Sequence, residues 1–290
     1  MFFFKKQYIH PITRNFTPSY LLDDGIQKQL EEEGYAILRN VIQEDEIQEA
    51  LAVYEQIKEK EGYDVQEKFE SSGNFKSVKL QQYVFSYIKK FMLSTAHRYA
   101  NLEHCEVGDG GAFFIKPNTG KSRLDPHQDS PVIDESSTYA VFTWIPLQDI
   151  NEQNGALYVL PKSHLWGNCY RSQHIPWAFG SLCKELWKHM IPLYVNKGDL
   201  IVFDPSIIHS SEVNNSDDYR IVICGALLPK NHQKVDYTYE NKQYKRYFVD
   251  DQYWLDGGLI SSLKNYTFEI VTQQFPNPVK YRMIKHLIPK

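Results

Sequence analysis

"GDLIVFDPSIIHSSEVNNSDDYRIVICGALLP" (residues 198–229) carries the pattern that decides the fold. Two runs rich in Val, Ile and Leu, one closing on Pro205 and the other on Pro229, flank a segment of Asn, Ser and Asp that reads as a loop. Outward from this stretch the texture repeats in "GGAFFIKP" (110–117), "STYAVFTWIPL" (137–147) and "GALYVLP" (155–161). Each run has the length of a strand and ends at Gly, Pro, Asp or Asn. Successive short strands without regular intervening helices predict an antiparallel sandwich or barrel rather than βαβ units.

Helical signals lie upstream. In "IQEDEIQEALAVYEQIKEKE" (42–61), Ile47, Leu51, Tyr54 and Ile57 fall at helical spacing, and Glu44, Asp45 and Glu46 occupy the first turn, where they favour the helix dipole. "GYAILRNVI" (34–42) reads as a strand feeding that helix. A further helix over about 79–100 places Val84, Ile88, Phe91 and Thr95 on one side. The interval of about 165–192 breaks the strand pattern and reads as an insertion, partly helical around 180–190. Its tryptophans, Trp166, Trp177 and Trp187, read first as core, with a pocket-lining role as the alternative. The Tyr- and Lys-rich extension at 230–290 gives no assignment. The expected organisation is therefore a single domain over 1–290, with helical support at about 20–100, a β core at about 110–229 and the extension behind it.

Composition narrows the function. A hydrophobic fraction of 42% suffices for a large core and excludes a disordered chain. A net charge of −4 gives no basic face for nucleic acid. Cys105, Cys169, Cys183 and Cys224 form no CxxC pair, which fits free thiols in a reducing compartment. No apolar stretch approaches the roughly 20 residues needed to cross a bilayer. The apolar run in "MFFFKKQYIH" is too short for a secretory signal, and the ending "LIPK" is not a peroxisomal address. A cytoplasmic protein acting on a small molecule, without membrane or nucleic-acid partners, is expected; oligomeric state is left open.

The chemistry concentrates in "RLDPHQDSPV" (123–132). Pro126 and Pro131 disfavour a helix there, and in extended backbone His127 and Asp129 project to one side. Two ligands make a poor metal site, and His209 supplies a third. Two histidines and a carboxylate form the facial triad of non-haem iron(II) oxygenases, although the same set also suits zinc with an open water position. Arg220, on what reads as the antiparallel strand next to that of His209, offers a bidentate, permanently charged partner for the distal carboxylate of a chelating 2-oxoacid. Ser211 can add a hydrogen bond, while Thr143 and Lys116 sit on strands beside the site, facing either pocket or exterior. On its own an HxD triplet is more often a surface turn. His164 reads as a turn-stabilising residue, Gly155 as a turn glycine and Asp134-Glu135 as solvated; His174, His189 and His232 have no partner at useful spacing.

Together "HQD" (127–129), "VFTWIPLQDINEQNGALYVLPKSH" (141–164), "GDLIVFDPSIIHSS" (198–211), Arg220 and the early "EEEGYAILRNVIQEDEIQEAL" (31–51) resemble the phytanoyl-CoA dioxygenase family of iron(II)/2-oxoglutarate oxygenases. The resemblance covers about 31–60 and 110–229. It implies a mainly β double-stranded β-helix, or jelly roll, with flanking helices. It further implies Fe(II) on His127, Asp129 and His209, 2-oxoglutarate held by Arg220 with Ser211 and Thr143 nearby, and O2 as oxidant. The implied reaction oxidatively decarboxylates 2-oxoglutarate to succinate and CO2 while hydroxylating a small-molecule metabolite. A jelly-roll binding module without catalysis and a zinc hydrolase are the rival readings; neither a hydrolase mechanism nor zinc explains Arg220.

Overall fold

The computed structural model describes residues 9–61, 69–74, 77–167, 169–273 and 277–288. The apolar run at 2–4 and the final two residues lie outside them. The chain begins with α1 (Asp24–Glu33), β1 (Tyr35–Leu38), α2 (Glu44–Glu61), β2 (Glu70–Ser71) and α3 (Val78–Ala96). Next come β3 (Cys105–Val107), β4 (Ala112–Lys116), β5 (Leu124–His127), β6 (Val141–Pro146), β7 (Leu157–Leu160), α4 (Cys183–Trp187) and β8 (Ile191–Leu193). It continues through β9 (Leu200–Phe203), β10 (Ile208–Ser211), β11 (Arg220–Pro229), β12 (Lys234–Glu240) and β13 (Gln243–Val249). The last elements are α5 (Asp251–Leu255), β14 (Phe268–Val271) and α6 (Tyr281–Ile284).

Local chemistry explains the helix ends. The Asp23 carboxylate accepts from the backbone N–H groups of Gly25 and Ile26, which caps α1. Gly34 closes that helix in the left-handed region at φ 85°, where a Cβ would also lie 2.5 Å from His164 Nδ1, so both conformation and space require glycine. Along α2, Ile47, Tyr54 and Ile57 are buried and Leu51 packs beside them; along α3, Val84, Ile88, Phe91 and Thr95 are buried, as the spacing predicts.

The strands form a two-sheet jelly roll. The larger sheet runs β1-β9-β6-β11-β4-β2, with β3 also paired to β11; the smaller runs β5-β10-β7-β8, and all pairings are antiparallel. From β4 to β7, and again from β8 to β11, each step along the chain crosses to the opposite sheet. That crossing corrects one expectation: β10 and β11 do not pair, so Arg220 reaches the site from the sheet facing His209. Alternation sets the layers. Leu200, Val202, Ile221, Ile223 and Leu227 pack against the helices, whereas Ile201, Phe203 and Val222 pack against the smaller sheet.

The insertion and the extension are both ordered parts of the fold. The insertion holds α4, and Trp166, Trp177 and Trp187 gather around Leu160, Phe179 and Leu186 as core; among the described residues none of these tryptophans lines the central cavity. The extension forms a third sheet, β12-β13-β14. No helix among the described residues is long and apolar enough to cross a membrane, and the four cysteines are free thiols.

Candidate active site

β5 and β10 pair so that His127 stands directly opposite His209. Their rings lie 4.3 Å apart between centroids. Asp129, just past the end of β5, donates its backbone N–H to Pro205 O at 3.0 Å, which turns its carboxylate toward the two rings. His127 Nε2 is 3.9 Å and His209 Nε2 3.5 Å from its oxygens. One ligand atom from each of the three residues lies within 4.8 Å of the others, a spacing at which one ion can be held. Both histidines are oriented by backbone: His127 Nδ1 meets Asp125 O at 2.7 Å, and His209 Nδ1 meets Ile207 O at 3.0 Å. A carbonyl accepts only from an N–H, so each Nδ1 carries the proton and each Nε2 keeps a lone pair for a metal. Burial pushes the His209 pKa down to about 4, against the pull of Asp129, and keeps that ring neutral.

A cavity of about 540 Å³ contains this cluster, and Ser211, Thr143 and Arg220 also line it. Arg220 is 1% exposed, stands 5.2 Å from the Trp144 ring and donates from Nη1 to Gly155 O at 3.2 Å. Its Nε has no partner, and no carboxylate pairs with it among the described residues. Burial lowers its pKa to about 10, which still leaves it charged at neutral pH. The Ser211 hydroxyl is equally buried and without a partner. A buried cation beside an unsatisfied hydroxyl is costly unless an anion completes the site.

Thr143 is placed differently. Its hydroxyl contacts Met92 Sδ at 3.9 Å, and it pairs with Gly225, five positions along β11 from Arg220. The contact gives no support to a 2-oxoglutarate role for Thr143. Lys116 stands opposite Arg220 across the β4–β11 pair and points to the same inner side, but it does not line the cavity: its ammonium donates to Ser122 O and Glu212 O at 2.6 Å and to Ser211 O at 3.4 Å. Gly155 is a turn residue at φ +77°, and a Cβ there would lie 2.5 Å from Lys116 Cδ.

A sequence profile of the phytanoyl-CoA dioxygenase family, PhyH, matches residues 30–222. The chain belongs to the phytanoyl-CoA dioxygenase family. It is 25% identical over 254 residues to the peroxisomal phytanoyl-CoA dioxygenase of Rattus norvegicus, covering 74% of each chain. With the phytanoyl-CoA dioxygenase domain-containing protein 1 of Mus musculus it shares 30% identity over 115 residues, or 37% of this chain and only 39% of the mouse protein. Among solved structures, EctD from S. alaskensis with 2-oxoglutarate and 5-hydroxyectoine superposes at a TM-score of 0.52 and 15% identity, covering 79% of this chain and 84% of that one. That likeness shows the fold: a double-stranded β-helix of the iron/2-oxoglutarate oxygenase superfamily to which the phytanoyl-CoA dioxygenase family belongs.

Beside the His127-Asp129-His209 cluster the structure reveals a support that spacing does not disclose. Arg171 of the insertion, 4% exposed, donates from Nε to Asp129 O at 2.9 Å and from Nη2 to Glu135 at 2.8 Å. Glu135, expected in solvent, is thus ion-paired and largely covered, and Asp134 pairs with Arg246. His174 also gains partners: its Nε2 lies 3.4 Å from the buried Asp236 and 3.0 Å from Gly258 O. His232 approaches Glu106 at 3.6 Å. His164 Nε2 meets Glu31 O at 3.0 Å, fastening the segment after β7 to α1 and lying outside the metal cluster.

Proposed function

We propose that the chain is an iron(II)/2-oxoglutarate-dependent oxygenase, a single catalytic unit that hydroxylates a small-molecule metabolite. The observation that supports this reading is the combination, in one cavity, of a His127-Asp129-His209 cluster with a buried Arg220 that lacks a counter-charge among the described residues. His127, Asp129 and His209 would hold iron(II), and a set of two histidines and one carboxylate would leave positions for co-substrate and oxygen. Arg220 and Ser211 receive the distal carboxylate of 2-oxoglutarate, which supplies the two acceptor atoms their orphaned Nε and hydroxyl require.

When bound, iron and 2-oxoglutarate together supply the oxidising equivalent from O2, with one oxygen atom entering succinate and the other a substrate C–H bond. The protein's own part is positional. Arg220 fixes the co-substrate, the backbone acceptors at Asp125 and Ile207 fix the imidazoles, and the apolar walls limit access of water. Zinc hydrolysis would leave Arg220 and Ser211 without a task. The test is production of succinate from 2-oxoglutarate with iron(II), ascorbate and air. Formation in the wild type and loss in His127→Ala support the reading; no succinate from iron-loaded protein, even at high enzyme concentration, contradicts it.

A further inference from the structure

β11 runs the length of the cavity. Arg220, Cys224, Ala226 and Leu228 alternate onto its inner face, so Leu228 stands about 26 Å along the strand from Arg220. The end remote from Arg220 is walled by Phe85, Phe142, Leu228, Trp254 and Leu255. These come from distant parts of the chain: α3, the inner strands β6 and β11, and α5. Aromatic rings dominate, which favours a ligand with flat apolar faces over a hydrated one.

The charges at this end are the second observation. Among the described residues lining it, Lys234 is the one cation, and it is ion-paired with Asp251. Asp109, Glu106 and Asp250 also act on Lys234. Asp109 itself lines the cavity and is paired with Lys89. Lys245, another lysine of the extension, is bound to Glu240 at 2.8 Å. A coenzyme A thioester brings several phosphate charges, and each needs an uncommitted Lys or Arg or a row of backbone donors. The described part of this rim instead commits its two lysines, Lys234 and Lys89, to pairs with Asp251 and Asp109.

We propose that the prime substrate, on the oxygenase reading above, is an uncharged, predominantly apolar ring compound and not a coenzyme A thioester. Its oxidised carbon lies at the triad and its body against Phe142 and Trp254. Gln173, the residue of the insertion that reaches the cavity, donates its Nε2 to Gly257 O and Gly258 O, which leaves its Oε1 to accept from a hydroxyl on that body.

The test is titration of the full-length protein with N-phenyl-1-naphthylamine, a neutral aromatic probe that brightens in apolar pockets, followed by competition with octanoyl-CoA. Expected are saturable binding with a blue-shifted emission, no displacement by octanoyl-CoA at equal concentration, and about tenfold weaker binding in Trp254→Ala and in Leu255→Ala. Circular dichroism and the absorption of added iron(II) with 2-oxoglutarate check that both variants are folded with an intact metal site. Absence of saturable binding, equal binding in both folded variants, or displacement by octanoyl-CoA overturns the proposal. Probe binding without any iron(II)/2-oxoglutarate absorption contradicts the oxygenase reading and leaves the pocket's preference standing, so the two failures are distinguishable.

Discussion

Arg220 combines deep burial with the absence of a counter-ion among the described residues, and that conflict makes it the most informative side chain in the molecule. Arg220→Ala is expected to weaken 2-oxoglutarate by at least about tenfold while leaving iron affinity unchanged, because a charge-assisted contact contributes roughly 1.5–3 kcal/mol. Calorimetric titration of the iron-loaded protein measures this, and unchanged 2-oxoglutarate affinity refutes the assignment. Arg171→Met acts on the other ligand. It removes the donor to Asp129 O and leaves Glu135 with only the more distant Arg14 at 3.9 Å, so weaker iron binding with unaltered 2-oxoglutarate affinity at saturating iron is expected. His127, Asp129, His209 and Arg220 are legible in the sequence because their residue types and order match one chemistry. Arg171 is not, since its partners lie 42 and 36 positions away and only the packing of the insertion brings them together.

Among the elements, the pairing of β5 with β10 converts two distant histidines into neighbours. A one-residue slip in that register would turn one imidazole to the opposite face. Lys116, at the end of β4, serves the same architecture by gathering the carbonyls of Ser122, Ser211 and Glu212. Burial pushes its pKa down to about 6, with Arg220 adding to the effect, yet three carbonyl acceptors call for the three donors of an ammonium. Lys116→Met is expected to cost about 1–3 kcal/mol of unfolding free energy, measured by urea denaturation, because it leaves buried acceptors without donors. The main strands were visible as bounded apolar runs. β10 was not, because "IHSS" carries too little apolar pattern, and its separation from β11 is a property of the crossing between sheets that local spacing does not encode. The extension's sheet is hidden for a related reason: β12 buries four consecutive residues, Val235 to Thr238, two of them polar, and β13 runs through half-buried Tyr, Lys and Arg positions, so neither strand alternates.

On the scale of the whole molecule, the jelly roll supplies the metal cluster while the insertion and extension shape access to it. Two buried histidines, His209 in the cluster and His164 beneath α1, have pKa values lowered by burial. The unfolded chain therefore binds protons between the ordinary histidine value and the depressed ones, where the folded chain does not. By linkage, metal-free protein should lose stability as pH falls from about 7 toward 4. Thermal melts of the metal-free protein across that range check the sign; a melting temperature that rises on acidification refutes it.

The central claim is tested most directly by anaerobic titration of metal-free protein with iron(II) and then 2-oxoglutarate, following the visible charge-transfer absorption of a chelated 2-oxoacid. The account predicts a saturable band in the wild type that is lost in His209→Ala. Folded, iron-bound wild-type protein that develops no band, or a band that survives in His209→Ala, would contradict it.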